Sequence, residues 1–312
     1  MKIIRLHHPL DPQRHFKGPI VLAMGFFDGL HLGHYHVIMT AKRIAQRKHL
    51  PLAVLTYNHR PSLLYRRFDL SQQNYLTLNY DKFQILQRWG VQLIYVIDYT
   101  SSFQAQTPQE FVDDYLVRFH ASVVVAGFDH TYGPRKIANM RLLPKYVRGR
   151  MQVVTVPDYK IDHRKVSSTR IRHALQAGRI KSANQLLGRP FTTHGFVVRG
   201  YQRGRKLGFP TVNIKHSEYQ QLPARGVYIT KVRLNRRNYA GMASIGSNPT
   251  FGHHPVTVEI NLLHFHQDAY GEPVTVQWLN RLRGQIKFDR VYDLVLQMRK
   301  DRQVTQDYFK SD

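Results

Sequence analysis

The hydrophobic pattern of the chain changes near residue 187. Before this point, short runs that are apolar on both faces alternate with helix-period segments, and the runs cover residues 19–24, 52–57, 93–97, 122–126 and 153–156. Runs of this length are typical of buried parallel strands. In the first helical segment, one face carries Val37, Ile38, Ala41, Ile44 and Ala45. The alternation of strands and helices predicts an α/β domain built on a parallel sheet.

After residue 187, apolar and polar positions alternate. Every second residue is apolar across 256–262 and again across 274–278. This period of two is typical of half-buried antiparallel strands, and frequent glycines and prolines mark the turns between them. The pattern predicts a small antiparallel β-barrel. One face of a final helix carries Val291, Leu294, Val295 and Met298.

Length and composition fit two domains with substantial cores. The chain has 312 residues, 42% of them hydrophobic, and at roughly 100–200 residues per domain we expect domains at 1–185 and 186–312. Cysteine is absent, which excludes disulfides, zinc–thiolate sites, iron–sulfur clusters and thiol catalysis. No apolar run approaches the ~18 residues of a membrane span, and the N-terminus lacks a signal-peptide pattern. We therefore expect a cytoplasmic protein with no membrane partner.

The charge of the chain is strongly positive. Lysine and arginine number 46 against 20 acidic residues, a formal net charge of +26, with 18 histidines in addition. Such a surface attracts nucleotides, nucleic acids and phosphorylated metabolites. Because the cations are spread along the chain without an interleaved basic–aromatic signature, we favour a solvated basic surface. Non-specific nucleic-acid binding is allowed, but no specific nucleic-acid partner is expected, and we expect a monomer or a weak homo-oligomer.

A turn with glycines and histidines, Gly25-Phe26-Phe27-Asp28-Gly29-Leu30-His31-Leu32-Gly33-His34, lies between the run at 19–24 and the first helix. Ligands of open parallel sheets bind at the carboxyl ends of strands, and a helix N-terminus attracts phosphate. His31 and His34 are three residues apart, so both can project from one side of the turn and donate hydrogen bonds to phosphate oxygens. The alternative is an ordinary strand–helix turn with two exposed histidines. Zinc is disfavoured because no third ligand is evident.

The segment Val166–Arg172 begins a helix near the end of the same domain. Ser168 and Thr169 can cap this helix. Their hydroxyls and the Arg172 guanidinium can equally hold the triphosphate of ATP. In isolation the segment is an ordinary helix start, but in the same domain as the histidine turn it becomes a second phosphate clamp.

A stretch from 195 to 214 combines glycines and cations before Pro210-Thr211-Val212-Asn213. Glycine spacing of this kind predicts a flexible loop that binds anions. Thr211 and Asn213 are two residues apart and share a face if they lie on a strand. Their oxygens are hard ligands suited to Mg²⁺ with ATP phosphates. The alternative is a basic hairpin with ordinary polar residues.

These segments together resemble the bacterial bifunctional riboflavin kinase/FAD synthetases. The turn at 25–34 and the stretch Ser167-Ser168-Thr169-Arg170-Ile171-Arg172 resemble the adenylyltransferase module. Pro210-Thr211-Val212-Asn213 resembles a kinase signature in which alanine usually stands at the place of Val212. The resemblance covers essentially the whole chain. It implies an α/β Rossmann-like nucleotidyltransferase domain followed by a small antiparallel β-barrel kinase domain with a C-terminal helix.

The resemblance also implies a role for particular residues. Glu259, on the polar side of an alternating strand, matches the catalytic carboxylate of the kinase, and His31 and His34 match the adenylyl-transfer histidines. Thr211 and Asn213 would hold Mg²⁺. The nucleotide-binding residues implied are Gly25, Phe27, Asp28, Gly33, Gly127, Asp129, Ser168, Thr169, Arg172, Gly200, Arg205, Gly208, Pro210, Thr211, Asn213 and Asn248.

The expected chemistry has two steps, with riboflavin, FMN, ATP and Mg²⁺ as the small molecules involved. The kinase makes FMN from riboflavin and ATP, and the other domain makes FAD and pyrophosphate from FMN and a second ATP. Two positions depart from the family pattern, Asn58 at a place where aspartate is frequent and Asp129 where many members have asparagine. A carboxylate near phosphates is repulsive unless it binds Mg²⁺ or a sugar hydroxyl.

Three alternatives stay open at the level of sequence. The first is an adenylyltransferase of the histidine class that acts on pantetheine phosphate or nicotinamide mononucleotide, although such an enzyme has no need of the kinase signature. The second is an enzyme that has kept only the kinase step. The third is a flavin- or RNA-binding regulator on the same scaffold, a hypothesis that the net charge of +26 motivates.

Overall fold

The computed structural model describes residues 1–11, 16–61, 74–200, 203–247 and 256–311, with only the backbone of Arg203 and Lys206. The chain divides into two compact units, Met1–Ser168 and Thr169–Asp312. The first is an α/β unit and the second contains a closed antiparallel barrel. The predicted succession of a parallel sheet, a barrel and a C-terminal helix is confirmed.

The first unit is built on a six-stranded sheet whose strands all pair in parallel, in the order β1-β4-β3-β2-β5-β6. The strands are Lys2–Leu6 (β1), Ile20–Met24 (β2), Leu52–Tyr57 (β3), Leu93–Ile97 (β4), Ala121–Gly127 (β5) and Gln152–Val156 (β6). Helices cover both faces, so the central strands are apolar throughout. On β2, the side chains of Ile20, Leu22 and Met24 join one core cluster, and those of Val21 and Ala23 join the other.

The helices of this unit lie between consecutive strands. They are Leu32–Lys48 (α1), Asn79–Arg88 (α2), Ser101–Gln104 (α3), Pro108–Phe111 (α4), which continues as a π-helix over Val112–Val117, and Leu143–Val147 (α5). Val37, Ile38, Ala41 and Ala45 of α1 are buried against the sheet, as the helical spacing predicts. The first turn of α1 therefore lies at the carboxyl end of β2.

Two features of this unit were not predicted. The strand β1 lies at one edge of the sheet beside β4, and its charged residues Lys2 and Arg5 break the apolar pattern on which the prediction depends. A two-stranded hairpin, Lys160–Ile161 (β7) with Arg164–Lys165 (β8), precedes the segment that was predicted to start a helix. The apolar pattern identifies buried central strands and misses short or charged edge strands.

The second unit contains a closed barrel with the strand order β10-β13-β12-β11-β14-β9. The strands are Phe191–Val198 (β9), Val212–His216 (β10), Gly226–Leu234 (β11), Arg237–Gly246 (β12), Thr257–Leu262 (β13) and Pro273–Arg283 (β14). Helices Ser168–Gln176 (α6) and Ile180–Leu187 (α7) precede the barrel in the chain. The Asn184 side chain ties α7 to the barrel, because it donates to the Trp278 carbonyl at 2.7 Å and accepts from the Phe191 amide at 2.7 Å.

Two details of this unit correct the sequence analysis. A short helix, Arg203–Lys206 (α8), lies within the stretch that was expected to be a flexible loop. The C-terminal helix, Val291–Lys310 (α9), exposes 46% of Val291, which was placed on its apolar face. Val295 and Met298 of that face are half-buried and pack against a core cluster of Phe209, Val227 and Met242. Asp301 and Thr305 are buried, and the Asp301 carboxylate pairs with Arg283 of β14 at 2.7 Å.

Candidate active sites

The turn after β2 is held in a conformation that most side chains avoid. Phe27 and Leu30 have positive φ angles of 54° and 42°, and Gly29 has a φ of 85°. Phe27 and Leu30 are nonetheless buried, at 3% and 0% exposure, so packing offsets the backbone cost of roughly 1–3 kcal/mol per residue. A Cβ at Gly25 would lie 2.8 Å from the Phe27 ring. Gly25 is therefore required to admit the ring that anchors the turn.

His31 and His34 lie together on the first turn of α1, as their spacing predicts. Their rings are stacked with centroids 3.6 Å apart, and the His34 ring meets the Phe27 ring edge-on at 5.3 Å. His31 is the N-cap of α1, and its Nδ1 accepts a hydrogen bond from the His34 amide at 3.3 Å. Since Nδ1 supplies the lone pair, the proton of the neutral ring sits on Nε2. His31 can then donate from Nε2 to an anion.

Ser168, the last residue of the first unit, contacts the histidine turn directly. The Ser168 hydroxyl, at the start of α6, donates to the carbonyl of Asp28 at 2.8 Å. A Cβ at Gly33 would lie 3.1 Å from the His31 ring and 3.5 Å from the Val166 carbonyl. Gly33 therefore makes room for the ring of His31 itself. Thr169 and Arg172 continue the helix that Ser168 begins.

The carboxylate of Asp28 is engaged by the protein. It is 3% exposed, and Oδ1 accepts from the amides of Leu76 and Thr77 at 3.0 and 3.2 Å. Oδ2 pairs with Arg60 at 3.3 Å. These contacts make Asp28 an anchor of the turn, and its direct contact with a nucleotide stays a prediction, as does that of Phe27.

The loop after β5 brings Asp129 to a cation. The Asp129 carboxylate forms an ion pair with Lys165 of β8, and the Lys165 ammonium lies 4.7 Å from the centroid of the exposed Phe128 ring. Gly127 begins this loop, and its carbonyl accepts from the amide of His130. Burial lowers the pKa of His130 to about 4, against the opposing effect of Asp129. The repulsion expected between Asp129 and phosphates is thus offset by Lys165.

Asn58, the second departure from the family pattern, links two strand ends. Its side chain donates to Asp98 at 2.9 Å and accepts from the Tyr99 amide at 3.0 Å. Its backbone amide donates to Ile97, and its carbonyl accepts from the Asn79 side chain at 3.0 Å. Asn58 therefore joins the carboxyl ends of β3 and β4, a structural role that an amide fills without any ligand.

The barrel places three polar residues in one row across neighbouring strands. Asn213 of β10 is paired with Glu259 of β13, and Glu259 is paired with Ser244 of β12. Directly opposed residues of antiparallel strands point to the same face. The neighbours of Glu259 along its strand, Val258 and Ile260, are buried at 1% and 0% exposure. The row therefore lies on the face away from the barrel interior.

Glycines leave space for Asn213, which belongs to this row, and for Thr211, which lies just before β10. A Cβ at Gly200 would lie 2.1 Å from the Asn213 side-chain nitrogen. A Cβ at Gly204 would lie 2.3 Å from the Phe209 carbonyl and 3.3 Å from the Thr211 hydroxyl. Thr211 lies one residue before β10, so the condition under which it would share a strand face with Asn213 is not met.

The remaining predicted residues of the second site surround this region or fall outside the description. The carbonyl of Pro210 accepts from the Asn261 side chain at 2.7 Å, which joins the start of β10 to β13. Arg205 is exposed on α8, and Gly208 has a φ of 79° that favours glycine. Asn248 lies outside the described residues.

Three residues near these sites were missed from the sequence. The Thr257 hydroxyl lies 3.1 Å from Glu259 Oε1 and 3.3 Å from the Gly246 carbonyl, and it can donate its one proton to the nearer oxygen. Its position two residues before Glu259 on a strand was a usable signal. Lys165 lies 36 positions from Asp129, and Ser244 meets Glu259 only through strand register. Nothing in the sequence specifies either of those pairings.

The donors of the second site fit a magnesium–nucleotide complex. Mg²⁺ is usually held by one or two protein oxygens together with substrate phosphates. The Asn213 amide offers an oxygen on the residue paired with Glu259, and Thr211 offers a hydroxyl two positions earlier in the chain. Within the described ranges, no cluster of three or more His, Asp or Glu side chains is placed to bind a metal ion.

Among helices in the part of the chain that the structure describes, none has both the length and the apolarity to cross a membrane.

Comparison with known proteins gives these two units a class. Residues 13–170 match the family described as FAD synthetase, and residues 187–309 match the family described as riboflavin kinase. A nucleotidyltransferase sheet followed by a flavokinase barrel defines a two-domain transferase that uses ATP and flavins. The chain belongs to the family of bifunctional riboflavin kinase/FMN adenylyltransferases.

Full-length relatives carry this family name. The chain is 43% identical to the bifunctional riboflavin kinase/FMN adenylyltransferase of Listeria monocytogenes, over 99% of this chain and 98% of that protein. It is 36% identical to the Bacillus subtilis protein of the same name, over 100% and 99%. A crystal structure described as a macrolide-efflux protein from Streptococcus pneumoniae matches with a TM-score of 0.89 and 35% identity, over 97% of this chain and 99% of that one. Its fold is shared, and its description applies to that protein.

Proposed function

We propose that the barrel makes FMN from riboflavin and ATP and that the sheet unit makes FAD from FMN and a second ATP. The row of Asn213 and Glu259, paired across β10 and β13, carries the kinase assignment. The stacked pair of His31 and His34 supports the assignment of adenylyl transfer. We assign the kinase to residues 186–312 and the transferase to residues 1–185.

The kinase step needs a base beside the nucleotide. Glu259 accepts the proton of the ribityl 5′-hydroxyl while that oxygen bonds to the γ-phosphorus and the bond from the γ-phosphorus to the bridging oxygen of ADP breaks. The Thr257 hydroxyl donates to Glu259 Oε1 and so orients the carboxylate. Thr211 and Asn213 would hold Mg²⁺, which neutralises charge on the transferring phosphoryl group when it is bound.

The transferase step needs donors beside the α-phosphate. An FMN phosphate oxygen bonds to the α-phosphorus of ATP, and the bond from that phosphorus to the bridging oxygen of pyrophosphate breaks. The Nε2 proton of His31, fixed by the cap bond at Nδ1, stabilises the charge that develops on the phosphate oxygens. His34 shares this task, and Ser168, Thr169 and Arg172 grip the nucleotide. No proton has to leave the FMN dianion, so positioning and charge stabilisation carry this step.

An enzyme limited to the kinase step is the second candidate function. The departures at Asn58 and Asp129 favoured it at the level of sequence. The ion pair of Asp129 with Lys165 and the structural bonds of Asn58 account for both residues without loss of transferase activity. We therefore propose the two-step enzyme in the cytoplasm, active on small molecules, as a monomer or a weak homo-oligomer without a specific nucleic-acid partner.

Crossed variants test the assignment of the two sites. His31→Ala should lower FAD formation from FMN by at least ~100-fold and leave FMN formation within about twofold, because it removes a transition-state donor from one site only. Glu259→Gln should lower FMN formation to a similar extent and leave FAD formation from added FMN unchanged. Flavins are separated by chromatography after incubation with ATP and Mg²⁺. Loss of both activities in each folded variant would contradict the two-site assignment.

A further inference from the structure

Lys82 of α2 is a cation buried below the histidine turn. Its side chain is almost wholly enclosed, with 1% of the residue exposed. The ammonium donates to the Phe26 carbonyl at 2.9 Å and lies 4.4 Å from the centroid of the Phe26 ring. Burial of a lysine side chain costs free energy unless the ammonium is paired or hydrogen-bonded, since removing an ammonium from water disfavours the charged form.

The Phe26 carbonyl, to which Lys82 donates, is held in place by a second donor as well. Phe26 follows β2, and its oxygen also accepts from the Thr56 hydroxyl of β3 at 3.0 Å. The next residue, Phe27, is the first of three residues with positive φ angles, and the last of them, Leu30, directly precedes the N-cap His31. Two donors on one carbonyl therefore fix where the chain leaves the sheet.

The charges near Lys82 form a small enclosed set. Burial lowers the pKa of Lys82 to about 8, and the negative charge of Asp28 opposes that decrease. The Asp28 carboxylate pairs through Oδ2 with Arg60 at 3.3 Å. Asp28 is thus the charged group of the turn that acts on Lys82, and Arg60, from the segment after β3, is the cation paired with Asp28.

We propose that Lys82 is a positioning residue for adenylyl transfer: its ammonium, through the Phe26 carbonyl and Asp28, holds the turn that aims His31 and His34. The inference rests on the proposed transferase function of the first unit. Lys82 has no contact with the reacting atoms in this role.

Loss of the ammonium charge should loosen the turn. A charge-assisted hydrogen bond is roughly twice as strong as a neutral one, and the neutral amine no longer attracts Asp28. A displacement of a catalytic group by about 1 Å can cost ~100-fold in rate. Adenylyl transfer should therefore fall as pH rises through about 8, whereas the phosphates of ATP and FMN, with second pKa values of about 6, keep their charge.

The free energy of unfolding should increase over the pH range in which adenylyl transfer falls. Between about 8 and 10.5 the unfolded chain holds the Lys82 proton more tightly than the folded chain, so the free energy of unfolding gains from Lys82 as pH rises. If Lys82 only supported the fold, the protein would gain stability as pH rises and would keep its adenylyl-transfer activity. Activity that falls while Lys82 favours folding distinguishes positioning from structural support.

The test measures FAD formation from FMN and FMN formation from riboflavin on the same full-length protein from pH 7 to 9.5. Wild-type adenylyl transfer should fall about tenfold above pH 8, with no matching fall in the kinase. Lys82→Met should be about tenfold slower than wild type at pH 7.5 and independent of pH, because its side chain has a similar length but no charge. Lys82→Arg should restore rate and remove the alkaline fall, since guanidinium stays charged. Lys48→Met, at an exposed lysine of α1, is the matched control.

The outcomes separate this inference from the proposed function. A wild-type protein that makes FMN but no FAD at any pH contradicts the transferase assignment itself. A wild-type protein that makes FAD at a rate independent of pH, or a Lys82→Met variant as active as wild type at pH 7.5, overturns the role of Lys82. The same alkaline fall in Lys82→Met as in wild type also overturns it, because another group must then titrate.

Discussion

At the scale of single residues, the two ring nitrogens of His31 have different duties. Its Nδ1 caps α1 by accepting from the His34 amide, which leaves the proton of the neutral ring on Nε2. Serine, threonine, asparagine and aspartate are the side chains that usually cap a helix. Unlike those side chains, a histidine also supplies a second nitrogen, and we expect this nitrogen to serve the proposed adenylyl transfer.

Substitution of His31 by asparagine separates the two duties. His31→Asn should retain the cap, because an amide oxygen accepts from the same backbone N–H, whereas His31→Ala should lose about 1 kcal/mol of stability. Both variants should lose FAD formation, which thermal unfolding and flavin chromatography on the same samples would show. FAD formation at the wild-type rate in His31→Asn would mean that His31 acts only as a cap.

Residue types were readable from the sequence, but their partners were not. The histidine turn stands out by its spacing, whereas Glu259 stands out only through the family resemblance. The buried contacts of Asp28, by contrast, come from Leu76 and Thr77, 48 and 49 positions away. Lys82 reaches the Phe26 carbonyl over 56 positions. Such anchors need the folded sheet to bring them together, so the sequence alone leaves them as ordinary polar residues.

At the scale of elements, strand register is what assembles the kinase site. The alternating pattern predicts that Glu259 lies on the polar face of a strand, and the structure agrees. That Asn213 is its direct neighbour follows from the pairing of β10 with β13, which are 46 positions apart at these residues. Apolar periodicity fixes the face of a strand and carries no information about which strand lies beside it. The short helix α8 was missed because its four residues are too few to show an apolar period and consist of glycine and charged residues.

Gly200 offers a steric test of this arrangement. Gly200→Ala should lower FMN formation by at least ~10-fold, because the added Cβ would lie 2.1 Å from the Asn213 amide nitrogen and must displace it. FAD formation from added FMN should be unchanged. Gly284→Ala is the matched control in the same unit, since its Cβ would meet nothing nearer than 3.7 Å. Equal kinase rates in wild type and Gly200→Ala would show that Asn213 is not needed where it lies.

At the scale of the whole molecule, the charge of the chain matches the charge of its substrates. The formal net charge is +26, ATP and FMN are multivalent anions, and riboflavin is neutral. A strongly basic surface raises the local concentration of anions, and salt screens this effect over about 10 Å at 0.1 M and about 3 Å at 1 M. The excess positive charge therefore acts on two of the three substrates.

Salt should accordingly discriminate between the substrates of one enzyme. Raising ionic strength from about 0.05 to 0.5 M should increase the KM for ATP and for FMN about fivefold, because screening weakens long-range attraction. The KM for riboflavin, measured in the same series, should stay within about twofold. An equal increase for riboflavin would mean that salt acts on the fold of the sites and not on the attraction of anions.

The two sheets of the chain differ in how they end. The barrel closes on itself, so each of its six strands has a neighbour on both sides. Within the described part of the chain, the parallel sheet has β1 and β6 as its outer strands. Unpaired edges are templates on which a second chain can add a strand, and charged side chains discourage that addition. β1 exposes Lys2 and Arg5 beside Ile3. When molecules of this protein associate on heating, intermolecular strand pairing should therefore start at the borders of the nucleotidyltransferase sheet, and replacing Lys2 and Arg5 with valine would remove the charges that guard one of them.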